Sequence, residues 1–148
     1  MFYILLVYMK NNFSLFDIWN QEKKYINKYW STWKIRDFYV NYRDIWYIKL
    51  GINVWYEQNW KTDFKRAVLV MKKIGNIFLV IPMTTKEKNN IYHHKLKSFK
   101  WKTSRLILSQ LRTVDKKRFI EKIWEISTEE FKTIKKNLSK YYFSDLSL

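Results

Sequence analysis

Two adjacent histidines, His93-His94, are the only ones in the chain, and they set the first limit on its chemistry. The residues around them, Ile91 to Phe99, predict a strand. Successive strand residues point to opposite faces, so the two imidazoles are not expected to hold one metal ion together. One of them could donate a proton if it faces a binding groove. There is no cysteine, hence neither disulfide nor thiolate ligand, and the carboxylates are scattered without a recurring ligand spacing. No metal and no cofactor are expected. Between Lys86 and Arg118 stand eleven Lys or Arg against two acidic residues, with Tyr92, Phe99 and Trp101 interleaved. Cations neutralise phosphates and aromatic rings stack on unpaired bases, so this stretch suits single-stranded RNA. A solvated face with ordinary core aromatics would carry the same residue types.

The wider composition points the same way. Lys and Arg number 29 against 13 acidic residues, a formal charge of +16, which attracts polyanions and speeds their encounter. The abundance of Lys, Asn, Ile, Tyr and Phe is also what an AT-rich genome produces without selection for binding. Apolar residues make up 47% of the 148, enough to bury a core and too many for general disorder. One compact domain with an appendage is expected. The opening run Phe2 to Tyr8 is far shorter than the roughly twenty residues of a membrane span and has no basic leader. A cytoplasmic protein with no membrane anchor is therefore expected, and Met9-Lys10 reads like an ordinary start.

Such residues need elements to hold them. Leu15, Ile18, Trp19, Ile26, Tyr29, Trp30 and Trp33 recur at helical steps, with Glu22, Lys23, Lys24 and Lys28 between them. This predicts an amphipathic helix that covers the following domain or offers an RNA or partner surface. Asp44 to Leu50 reads as a strand. Ala67 to Met71 and Ile77 to Ile81, joined across Gly75-Asn76, form the clearest hairpin signal, and Pro82 is expected to close its second strand. Further strands are expected at Ile91 to Phe99 and Arg105 to Gln110, then a polar turn at Asp115-Lys116-Lys117 and an apolar segment from Ile120 to Ile126. Ser127-Thr128-Glu129-Glu130 is a capping box, with Ser127 accepting from the third amide and Glu130 reaching back. The helix it opens has Phe131, Ile134, Leu138 and Tyr142 on one face. The fold class expected is β-rich α+β: a small SH3-like barrel over residues 37–148 with a C-terminal helix, preceded by a helical extension over residues 1–36.

In chain order, Arg43-Asp44-Ile45-Trp46, Glu57-Gln58, Arg66-Ala67-Val68-Leu69-Val70, Ile81-Pro82-Met83-Thr84-Thr85 and Ser109-Gln110-Leu111-Arg112-Thr113-Val114-Asp115-Lys116-Lys117-Arg118 resemble the MazF/PemK toxin family. The resemblance runs from about Arg43 to Tyr142. Ala67 stands where the family usually has proline, the loop Asn59 to Lys65 is longer than usual, and Tyr56 replaces a Ser or His common in relatives.

The resemblance implies the toxin of a type II toxin-antitoxin system, a metal-independent endoribonuclease acting on single-stranded RNA. In such a reaction the substrate's own 2′-hydroxyl attacks, leaving a cyclic phosphate and a 5′-hydroxyl. Arg66 is implied as the residue that stabilises the phosphorane-like charge, and Thr84 as a hydroxyl beside the same phosphate, with Thr85 second. Glu57 would hold Arg66 by a charged hydrogen bond or act as a base. Tyr56, Gln58, Lys65, Lys86 and Trp101 are expected to bind RNA. The implied partners are a second copy in a two-fold homodimer and a cognate antitoxin with an acidic tail. The rival reading is a catalytically inactive SH3-like module that binds RNA or a partner. A DNA-binding regulator lacks any helix-turn-helix or zinc signature.

Overall fold

The computed structural model describes residues 14–29, 38–52, 63–97 and 104–144. They contain helix α1 (Leu15–Tyr29), strands β1 (Asp44–Lys49), β2 (Lys65–Ile74), β3 (Ile77–Thr84), β4 (His93–Lys95), β5 (Arg105–Ile107), β6 (Arg112–Asp115) and β7 (Phe119–Glu125), and helix α2 (Thr128–Phe143). Single 3-10 turns at Leu108–Gln110 and Lys116–Arg118 flank β6. The chain forms two compact units, residues 1–38 with 49–65 and residues 39–48 with 66–148.

In the first unit, Ser14 and Asp17 cap α1 reciprocally: the Asp17 amide donates to Ser14 Oγ at 3.3 Å and the Ser14 amide to Asp17 Oδ2 at 3.1 Å. The apolar stripe read from the sequence is present, with Trp19 buried against Phe64 at 5.2 Å between ring centroids and against Ile52. Trp30 and Trp33, placed on the same helix by their spacing, lie outside the described residues. Lys49 Nζ pairs with Glu22 at 3.0 Å and donates to the Asp63 carbonyl at 2.9 Å. Gly51 is required where it stands: its φ is +85°, and a Cβ there would come within 2.0 Å of Trp19 Cε2.

The second unit is built on a mostly antiparallel sheet of order β4-β5-β3-β2-β1-β7, with β6 also on β3. The sheet is barrel-like only loosely, since its end strands β4 and β7 are not paired with each other. The Gly75-Asn76 turn joins Ile74 to its partner Ile77, as the hairpin signal requires. Pro82 does not end β3, which continues to Thr84. On one edge β3 pairs with β6 over Ile77 to Val80 and with β5 over Met83 and Thr84. Pro82 falls between the two partners, where its missing donor leaves no ladder position empty on that edge.

Strands β4 and β5 are three residues each, much shorter than the runs read from the sequence, because the chain turns at Asn90 to Tyr92 and again at Leu108. Strand β6 was not expected at all. Ser127 caps α2 by accepting from the Glu130 amide at 3.2 Å, whereas the Glu130 carboxylate accepts from the Lys97 amide at 2.5 Å and so ties α2 to the chain after β4.

Both faces of the sheet carry apolar residues. On one, Leu69, Met71, Ile81, Met83, Leu106 and Leu108 pack with Phe131, Ile134 and Leu138 of α2. On the other, Val68, Val70 and Val80 are buried and Phe119 contacts both Phe78 and Trp46 edge-on, at 5.0 and 5.7 Å. The fully buried Asp44 accepts from the Asn41 amide at 3.0 Å and the Trp46 indole at 3.3 Å, and Lys122 Nζ meets it at 2.6 Å.

Gly51→Ala combines a forced positive φ with a collision against a buried indole, so it is expected to cost about 2 to 4 kcal/mol. The urea midpoint of the helical circular-dichroism signal measures this, and an unchanged midpoint would refute the close approach.

Candidate active site

The core positions decide where the polar ones point. Ala67, Leu79, Ile81, Met83, Leu106 and Leu111 all pack on the α2 side of the sheet. Alternation therefore turns Arg66, Thr84, Arg105 and Arg112 to the other face. The β2–β3 ladder pairs Val68 with Pro82, and continuing that register by two residues sets Arg66 across from Thr84. Thr84 is itself paired with Arg105 of β5.

Arg66 is half-buried, and its Nη1 donates to Gln110 Oε1 at 3.5 Å. Burial, and after it the like charge of Arg112, hold the Arg66 guanidinium below its ordinary pKa. Arg118 is lowered in the same way, by burial and then Arg112, with Asp115 acting in the opposite sense. A guanidinium stays charged at any working pH, so Arg112 is a fixed positive charge that acts on both Arg66 and Arg118. Thr84 is also half-buried. Its Oγ1 accepts from the Lys86 amide at 3.1 Å, which leaves the hydroxyl proton to be donated elsewhere.

Other residues singled out from the sequence fall in several places. Thr85 and Lys86 are exposed just beyond β3. Lys65 opens β2, belongs to the first unit, and donates its amide to Asp63 Oδ1 at 3.2 Å. Tyr56, Glu57, Gln58 and Trp101 lie outside the described residues. The two histidines part company, as expected of strand neighbours. His94 sits opposite Leu106 on the α2 side and meets Asn137 Nδ2 at 3.0 Å. His93 shares the face of Thr84 and Arg105, with its Nδ1 2.7 Å from Asn90 Oδ1. Among the described residues no three His, Asp or Glu side chains come together in a metal-binding group, and no helix is long and apolar enough to cross a membrane.

Residues 42–142 match the family of PemK-like, MazF-like toxins of type II toxin-antitoxin systems. The chain belongs to that family. Solved structures share the fold of this MazF-like chain at low identity. MazF of Deinococcus radiodurans aligns with a TM-score of 0.60 at 14% identity, over 71% of this chain and 97% of that one. A MazE-MazF structure from the same organism gives 0.56 at 13%, over 71% and 96%. An endoribonuclease in complex with its cognate antitoxin, from a mycobacterial species, gives 0.57 at 10%, over 74% and 99%. A comparison with curated proteins found no match.

Sequence reasoning on this MazF-like chain gave no role to Gln110, Arg112 and Arg118, although they stand in the quoted Gln-X-Arg stretch. Part of the signal was there, since all three stand in the stretch that carries the family resemblance, but Gln110 lies in a 3-10 turn before β6, where strand alternation does not reach it.

Crowded guanidiniums are relieved by an anion, and a ligand at a hundred times its dissociation constant adds about 2.7 kcal/mol of stability. Melting temperature is expected to rise with a short oligodeoxynucleotide, and to rise less for Arg112→Gln; equal shifts would remove Arg112 from the anion-binding surface. A second expectation concerns pH. Burial, with Lys97 opposing and Glu130 favouring the charge, keeps the His94 pKa below 6.5. The unfolded chain therefore binds the proton first, and stability present above pH 6.5 falls as pH drops below it. His94→Gln should flatten that fall in thermal melts between pH 7.5 and 5; an unchanged slope would show that His94 is not its source.

Proposed function

We propose that this chain is a metal-independent endoribonuclease, the toxin component of a type II toxin-antitoxin system. What most supports the reading is a β2–β3 register that, continued to the strand ends, sets a guanidinium across from a hydroxyl on one face, with Arg112 adding positive charge. The reaction needs little more. The RNA 2′-oxygen loses its proton and bonds to phosphorus, the bond to the 5′-oxygen breaks, and that oxygen takes up a proton. The products are a 2′,3′-cyclic phosphate and a 5′-hydroxyl end. Arg66 donates to the phosphoryl oxygens as their charge grows, a contact worth most in the transition state. Thr84 donates its hydroxyl proton to the same phosphate, and Glu57 steadies Arg66. Tyr56, Gln58, Lys65, Lys86 and Trp101 are the residues proposed to bind the RNA, single-stranded because rings need exposed bases.

The same reading supplies the partners. A +16 chain fits an antitoxin with an acidic tail, and two copies related by a two-fold axis would form the RNA groove near their seam. The setting is cytoplasmic, where both messenger RNA and antitoxin are found. The competing reading, an inactive module that binds RNA without cutting it, is favoured by Ala67 in place of proline and by the long Asn59–Lys65 loop.

Incubating the protein with a defined RNA in chelator is expected to give cyclic-phosphate ends. Removing one transition-state donor costs on the order of a hundred- to a thousandfold in rate, so Arg66→Ala should fall in that range, and Thr84→Ala less steeply. Wild-type protein that binds the RNA and leaves it whole would establish the module instead.

A further inference from the structure

Arg105 has no part in the reaction as written, yet it is the one buried cation among the described residues, 3% exposed. Its Cα stands opposite Thr84, so the two side chains share a face. Nη2 donates to Glu87 Oε1 at 3.3 Å and to Asn89 Oδ1 at 2.8 Å, while Nη1 is buried with no acceptor among the described residues. Desolvating a guanidinium and leaving one nitrogen unsatisfied is costly, and an apolar residue at this position would avoid the cost. What the arginine supplies in return is a hold on the loop that follows Thr84. That loop is clasped at its start by the Lys86 amide on Thr84 Oγ1 and near its end by the Tyr92 amide on Asn90 Oδ1 at 3.1 Å. Between these, Glu87 and Asn89 would be free of the sheet if Arg105 did not grip them from the strand beside Thr84.

We infer that Arg105 is a positioning residue for Thr84. By gripping Glu87 and Asn89 it fixes the Thr84–Lys86 turn; the Thr84 oxygen then stays engaged by an amide, and its hydroxyl proton keeps one direction, toward the phosphate. This rests on the nuclease reading above. Glu87 is itself 74% exposed, so its contact with Arg105 is a tether and not part of the core.

The test uses the full chain with Glu87 and Asn89 both replaced by alanine, surface changes that leave the buried arginine in place, and in parallel Arg105→Lys, which keeps the charge and loses the fork. In the unliganded protein, hydrogen exchange at the Lys86 amide is expected to speed up about tenfold or more as the turn opens. On RNA, kcat is expected to fall about tenfold at unchanged KM, and adding Thr84→Ala to the loop pair should cost nothing further, because both changes remove the same contribution. An unaltered Lys86 exchange rate, or losses that multiply with Thr84→Ala, would overturn the inference. Should the wild type cut no RNA at all, the nuclease reading fails, and the exchange rate alone still decides whether Arg105 holds the turn.

Discussion

A one-residue slip in the β2–β3 ladder governs which way the side chains of β2 point relative to β3. Starting from the Gly75-Asn76 turn, Ile74 pairs with Ile77 and Lys72 with Leu79; beyond Met71 the register has moved by one, and Val70 pairs with Val80. Such a bulge exchanges the two faces of the strand relative to its partner. Carried on without it, the register of the turn would set Arg66 across from Thr85 and would aim it at the side packed under α2. With it, Leu69 and Met71 join the α2 core, Val68 and Val70 fill the other face, and Arg66 leaves the barrel on the side of Thr84. The placement of the candidate site is thus a consequence of core packing: apolar residues choose the register, and the polar residues at the strand ends follow.

Those ends concentrate like charge. Burial, and after it Arg112, hold both Arg66 and Arg118 below their ordinary pKa, and Gln110 Oε1 accepts from Arg66 at 3.5 Å. On the proposed nuclease reading, a phosphodiester passing through its transition state, with charge spread over its oxygens, gains most from positive charge held at these strand ends. Asp44 is a buried charge elsewhere in the same sheet. Its buried charge is met by Lys122, an indole and an amide, and its role is to join β1 to β7.

Much of this was legible in the sequence for identifiable reasons. The hairpin was plain because Gly75-Asn76 interrupts two apolar runs, and α2 because Ser127 supplies a cap whose geometry is local. The α1 stripe was plain because Trp19 and its neighbours recur at helical steps. What stayed hidden depended on distant partners. Pro82 looked like a strand end because a proline lacks a ladder donor, and only the change of neighbour from β6 to β5 makes room for it. The Glu130 carboxylate looked like half of a capping box, but an amide at Lys97, far off in sequence, holds it. Strand β6 is four residues bounded by 3-10 turns, too short for its alternation to register. The Met71 bulge leaves no local mark at all, since Met71 suits either face of a strand.

The long apolar runs of β2 and β3 nevertheless contain the argument for where a site must be. A strand buried on both faces reads as continuous hydrophobic sequence, so polar residues enter only where one face reaches solvent. In β2 such points come at Lys65-Arg66, before the run begins, and at Lys72-Lys73 by the hairpin turn, and in β3 at Thr84, after it ends. Antiparallel neighbours place the start of one strand beside the end of the next. Arg66 and Thr84 are therefore brought to one rim of the sheet by the same rule that buries everything between them, and Arg112, at the start of β6 and opposite Val80, approaches that rim from the other side of β3.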